Sequence, residues 1–230
     1  MGILDRIRRF LYQGFIPVTK SLILLSGIVF FGGLIFKEIY NYLVLIPDTV
    51  FQLPWTLITY PLVNPEPLSL IFALLWFWFV GGSLERSWGS WNYGLFALLV
   101  TLTTGVLMTA AGIFLGVEVV VRDFWLPLVA LTWAWAGIFP DREVLLWGII
   151  PLRAQWLAWI TAAIVFFSYI HPHWLLGFAS ISGILVVYFF RGSGPFSRGV
   201  RYWAWSHGLS GWLDNRRQKA RRKRLKVIKH

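Results

Sequence analysis

The sequence predicts an all-α integral membrane protein, a bundle of six transmembrane helices with both termini cytoplasmic. Three observations carry this. Hydrophobic residues make up 57% of the chain and charged residues 13%, with a mean hydropathy of +0.66, against roughly 25% charged in ordinary soluble domains. Apolar runs of spanning length recur between short polar breaks, and 230 residues hold about six of them with no room for a second folded domain. The net charge sits at one end: residues 191–230 carry twelve Lys or Arg and one acid, Asp214, for +11, whereas residues 1–190 sum to zero. The absence of cysteine excludes disulfides, thiolate metal sites and cysteine nucleophiles.

Residues 1–20 form a basic amphipathic segment, beginning LDRIRRFL, and the first apolar run, 21–36, follows Pro17 and Lys20. No small-residue cleavage pattern follows, so this run reads as a retained span rather than a signal peptide. The loop at 37–67 is long and apolar, with Tyr40, Tyr42, Leu43, Phe51, Leu53 and Trp55 among Pro47, Asp48 and Pro54. That composition suits a segment lying in the interface or in one leaflet. The second span, 68–82, is entered through Asn64, Pro65, Glu66 and Pro67 and left through Glu85 and Arg86. The third is 93–116, and the fourth, 124–139, runs from Asp123 to Pro140 and Asp141. Residues 145–150 are apolar but end at Pro151 and Arg153, too short to cross, so the fifth span is 156–170. His171, Pro172 and His173 turn the chain into the sixth, 174–190. The membrane domain is thus 21–190, and 191–230 is an interfacial helix with a basic cytoplasmic tail.

Basic residues gather at the N-terminus (Arg6, Arg8, Arg9, Lys20), at Arg142 and Arg153, and in the tail, which places both termini in the cytoplasm. The lack of an organellar presequence leans toward a prokaryotic plasma (inner) membrane. Most of the fifteen tryptophans fall near span ends and read as an aromatic belt, whereas Trp76, Trp78, Trp133 and Trp135 lie deeper.

Four segments together resemble the rhomboid superfamily: PWTLITYPLV leading into the second span, LERSWGS closing it, AGIFPDREVLLWGIIPLRAQW after the fourth and SGILVVYFFR ending the sixth. The resemblance covers roughly 18–191 and implies a rhomboid-like bundle. Rhomboid proteases use a serine in a Gly-x-Ser-Gly turn of the fourth span and a histidine in the sixth. Here no serine lies between 117 and 140 and no histidine between 174 and 190. By the same register the histidine and asparagine of the second span fall on Ser69 and Ala73, a leading histidine falls on Asn64, and the sixth-span histidine falls near Ser180. Without a base a hydroxyl is a poor nucleophile, so the expectation is a catalytically inactive member, a rhomboid pseudoprotease with no cofactor and no metal. Derlins are similar in GVLMTAAGIFLG and in a first-loop tryptophan at Trp55, but their following arginine is Thr56 here and their ATPase-recruiting tail motif is missing.

This resemblance implies binding of transmembrane segments of client or partner proteins, in quality control or assembly. Trp55, Ser69 and Ala73 are the expected contacts, joined by the small-xxx-small pairs Gly112/Gly116 and Ala179/Gly183, which serve packing inside the bundle or a partner. The alternative is a permanent accessory subunit of a large membrane complex, such as a respiratory or photosynthetic assembly. His171 and His173 are expected to be interfacial rather than metal ligands. In the tail, Arg216, Arg217, Arg221, Arg222, Lys223 and Arg224 are expected to meet anionic lipid headgroups, with a ribosome or a protein partner as alternatives.

Overall fold

The computed structural model describes residues 16–146 and 150–190. The chain divides into two units, residues 1–187 and 188–230, and the described part of the second is the last turn of its final helix. Residues 1–15 of the basic amphipathic segment, the interfacial helix and the polybasic tail lie outside the described residues, whereas residues 17–20 form the first turn of the first helix.

Helix α1 (Pro17–Ile35) begins with proline at its first turn, where the missing N–H costs nothing. It buries Thr19, Ser26 and Gly33 and turns Leu24, Ile28, Phe31 and Leu34 outward. Small and polar residues inside with large apolar ones outside is the arrangement of a helix whose solvent is lipid. A short helix, α2 (Glu38–Leu43), then leads into an irregular stretch with 3-10 turns at Pro47–Thr49 and Tyr60–Leu62 around α3 (Thr56–Thr59). This first loop is tied down by an antiparallel bridge, Leu45 N–H to Val121 O at 3.1 Å and Val121 N–H to Leu45 O at 2.9 Å.

Helix α4 (Pro67–Trp88) and helix α5 (Ser90–Leu115) follow, joined at Gly89. Gly116 closes α5 in the left-handed conformation at φ +62°, its N–H reaching the carbonyls of Gly112 and Ile113, a geometry in which any Cβ is strained. Helix α6 (Trp125–Ile138) is the buried centre: Leu126 to Thr132 without a break, then Ala134, Trp135 and Ala136, are shielded. It packs against α4, α5 and the next long helix, α7 (Ala154–Tyr169), which shows Trp156, Trp159, Ile160, Ile164 and Phe167 outward. Two short helices, α8 (Trp174–Ser180) and α9 (Gly183–Phe190), complete the bundle, and α8 packs on α7 and α5. The His173 ring starts α8, its Nδ1 accepting the Leu175 N–H at 3.2 Å.

Three helices, α1, α4 and α5, are long and apolar enough to cross a membrane, whereas 125–138, 154–169 and 174–190 are apolar but shorter. The all-α expectation needs one correction. Between α6 and α7 the chain forms an antiparallel hairpin of β1 (Glu143–Leu146) and β2 (Ile150–Arg153), paired Glu143 with Arg153, Val144 with Leu152, Leu145 with Pro151 and Leu146 with Ile150. Pro140 and Pro151 bracket a stretch too short for a stable helix, while its Val, Leu and Ile residues suit a strand.

Candidate functional site

The second-span and fourth-span segments that carry the resemblance meet along parallel helices. Trp125 Nε1 donates to Ser69 Oγ at 3.0 Å, Trp76 Nε1 to Thr132 Oγ1 at 2.9 Å, and Trp135 Nε1 to Ser83 Oγ at 3.3 Å. On α4 the three participants, Ser69, Trp76 and Ser83, are spaced by seven, so they share one face along the whole helix. Three indole–hydroxyl rungs therefore bind α4 to α6 at three levels. Each is worth about 0.6 kcal/mol if it behaves like the average interhelical polar contact in a membrane. Trp135 is also fully buried, edge-on to Phe79 at 5.4 Å and to Trp76 at 6.3 Å.

The groups at the register positions of the protease are already engaged. Ser69 Oγ also accepts from Asn64 Nδ2 at 3.3 Å, and Asn64 Oδ1 accepts the Glu66 N–H at 3.2 Å. Ala73 is sealed in the core. Thr132 Oγ1 donates to Leu128 O at 2.8 Å, and Ser180 Oγ donates to Gly177 O at 2.7 Å. Ser182, two residues on, has a buried hydroxyl that meets no partner in the described structure. An imidazole to activate any of these hydroxyls would have to come from His171, His173, His207 or His230, and His173 is the N-cap of α8. Among the described residues no three metal-binding side chains cluster.

The remaining expected contacts fall in two environments. Gly112 is buried, and a Cβ there would press on the Pro47 ring, 2.5 Å from its Cγ. Gly183 lies at a tight helix crossing: a Cβ would stand 2.9 Å from Thr104 Oγ1, 3.0 Å from Val100 Cγ1 and 3.2 Å from Ala130 Cβ. Ala179 is buried as well. Trp55 and Gly116 are exposed, and the Trp55 indole, 48% accessible, is fixed by donating from Nε1 to Tyr42 O at 2.9 Å. The spacing alone does not reveal that Gly112 seats a first-loop proline while Gly116 ends the helix. Residues Arg216 to Arg224 of the tail lie outside the described residues.

Two polar features have no counterpart in the sequence reading. The Glu85 carboxylate, 1% exposed, accepts the Val18 N–H at 3.0 Å, the Thr19 N–H at 2.8 Å and the Thr19 hydroxyl at 2.7 Å. It thereby caps the first turn of α1 with a negative charge where the helix dipole favours one. The available signal was LERS at the end of α4, an acid one residue before Arg86. Asp123, at φ +82°, receives the Trp125 N–H on Oδ1 at 2.9 Å and gives its own N–H to Tyr60 O at 3.2 Å. It couples the first loop to the start of α6.

Burial pushes the Asp123 carboxyl up from 3.8 to about 7; the Trp125 N–H and Arg122 oppose the rise and Glu66 adds to it. The folded chain thus holds this proton more tightly than the unfolded chain does. Asp123 favours the native state most below the unfolded value of 3.8 and loses that contribution as pH rises through about 7. Thermal unfolding across this window should show the midpoint of the wild type falling relative to Asp123→Asn, which keeps an acceptor for Trp125 but no charge. Parallel curves for the two chains would refute the assignment.

Comparison with known proteins follows the same outline. Residues 18–191 match the family described as eukaryotic integral membrane protein (DUF1751). A rhomboid protease GlpG homolog of Cronobacter sakazakii is 36% identical over 115 residues, 49% of this chain and 40% of that protein. The protein pdh1 of Schizosaccharomyces pombe is 34% identical over 62 residues, 27% of each chain. The chain therefore spans less than half the length of either relative. The family match covers the bundle from the second residue of α1 to just past the end of α9, so the chain belongs to the DUF1751 family of integral membrane proteins and is rhomboid-like.

Proposed function

We propose that this protein is a non-proteolytic rhomboid-like membrane protein that binds transmembrane segments of other proteins, as a client handler or an assembly factor. The observation that carries the reading is the shortness of two central helices. Fourteen residues in α6 and sixteen in α7 give about 21 and 24 Å, against about 30 Å of hydrocarbon. Lipid beside the outward face of α7 has to thin, at a cost of fractions of a kcal/mol per Å of mismatch. A client helix that is short or carries polar residues relieves that mismatch by docking there. The non-proteolytic part is supported by a fourth span without serine and a sixth without histidine, and by the carbonyl that already holds Ser180.

The reading has six crossings, both termini in the cytoplasm and a polybasic tail against anionic headgroups, with a prokaryotic plasma membrane as the setting. Trp55 is the contact to test, because its exposed indole can be removed without opening the core. Trp55→Ala should lower photo-cross-linking of co-purifying membrane proteins several-fold while leaving the unfolding free energy within about 1 kcal/mol of wild type. Undiminished cross-linking overturns the handler. Recovery of one complex at fixed stoichiometry in gentle detergent would instead make the chain a permanent accessory subunit.

A further inference from the structure

The last apolar run, 174–190, is broken at Ile181 and Ser182 into α8 and α9, about 12 Å from either end. Across the break the backbone ladder tightens. The N–H groups of Ser182, Ile184 and Leu185 reach back only three residues, to Ala179 O at 3.2 Å, Ile181 O at 3.0 Å and Ser182 O at 2.9 Å. A continuous α-helix sends each donor back four, so the Phe178 and Ser180 carbonyls lose the donors of Ser182 and Ile184 and keep acceptor capacity. Ser180 contributes to the interruption, because its Oγ donates to Gly177 O at 2.7 Å and so competes with the backbone.

Two hydroxyls flank this break. Ser182 Oγ is buried without a hydrogen-bond partner among the described residues, and so is Thr104 Oγ1 on α5. Gly183, the residue after Ser182, brings them to one place, since a Cβ there would stand 2.9 Å from Thr104 Oγ1. Tyr60, whose phenol faces Thr104, donates its own proton to Thr101 O at 3.3 Å. A buried hydroxyl that meets nothing carries its full desolvation penalty. Lipid cannot relieve it, and irregular backbone at membrane depth persists where protein or water satisfies it.

We propose that a structural water is bound at the α8–α9 break, where it bridges Ser182 Oγ and Thr104 Oγ1 and donates to a carbonyl released there. Hydroxyls both donate and accept whereas a carbonyl only accepts. One water with about three hydrogen bonds matches that set. None of these ligands is charged, so a cation in the same place would be buried without compensation. The inference concerns the sixth run and its neighbour α5, and is independent of what the bundle carries.

A double-substitution cycle in the full chain tests the bridge: Ser182→Ala, Thr104→Val and the pair, each unfolded reversibly in detergent. Either single change should lower the folding equilibrium constant about three- to tenfold, the range of one hydrogen bond. The pair should cost clearly less than the product of the two, because the first change already breaks the shared bridge. Unchanged or raised stability on removing a hydroxyl would mean that it had no partner to lose, and overturns the proposal. Losses that simply multiply would mean two unrelated partners and overturn it as well. X-ray radiolytic footprinting reads the water itself, since radicals formed from a bound water oxidise the side chains beside it. Tyr60 is fully buried and shielded from radicals in bulk solvent. The expected result is oxidation at Tyr60 in the wild type that falls several-fold in the double variant. Label that persists in that variant, or an unlabelled Tyr60 in the wild type, refutes the site. Should a substituted chain fail to fold, the wild-type label decides alone.

Discussion

Glu85→Ala is expected to destabilise the protein by about 3 kcal/mol or more, because each backbone donor left without its acceptor costs about 1–3 kcal/mol. The substitution deletes a carboxylate that accepts three hydrogen bonds from Val18 and Thr19 and strands two backbone N–H groups at the start of α1. Those donors have no alternative within their own helix, because the first four N–H groups of any helix lack an intrahelical acceptor. Glu85→Gln should recover part of the loss, since one amide oxygen still accepts, and we expect it to fall about 1–2 kcal/mol below wild type. The contrast appears in thermal unfolding in detergent and in faster proteolysis at the start of α1. Equal stability of Glu85→Ala and wild type would show that the cap contributes nothing.

Gly183→Leu is expected to be the second large loss. The position faces Thr104, Val100 and Ala130 at 2.9 to 3.2 Å from an added Cβ, so even alanine displaces α5 or α6, at about 1–3 kcal/mol for overpacking. Leucine adds three more carbons to the same gap and should prevent α9 from seating, which a shift to aggregated species in size-exclusion chromatography would report. Gly183→Ala separates packing from any contact outside the bundle. A variant that folds normally yet loses cross-linked partners would assign Gly183 to binding, whereas loss of stability with partners retained would assign it to the helix crossing.

Much of the bundle was legible because a lipid-facing helix needs an uninterrupted apolar run, and such runs survive any uncertainty about tertiary packing. Their ends were legible where Pro17, Pro67 and Gly116 act through the backbone. The hairpin was not, because a short apolar stretch flanked by prolines has the same composition whether it coils or pairs. Trp125 reads as part of the belt, and for the deeper Trp76 and Trp135 the sequence leaves helix-facing and lipid-facing positions open, since periodicity does not tell which indole finds a hydroxyl on another helix. Their role depends on α4 and α6 running parallel, a property of the fold. Gly112 posed the same difficulty, because Pro47 is 65 positions away and nothing local announces it.

The rungs between α4 and α6 set which parts of the bundle can shear. A slip along either axis lengthens all three indole–hydroxyl bonds at once, so their resistance to shear adds. The α7 flank is held differently: Trp133 and Trp159 meet edge to face at 4.7 Å, through a contact that tolerates sliding.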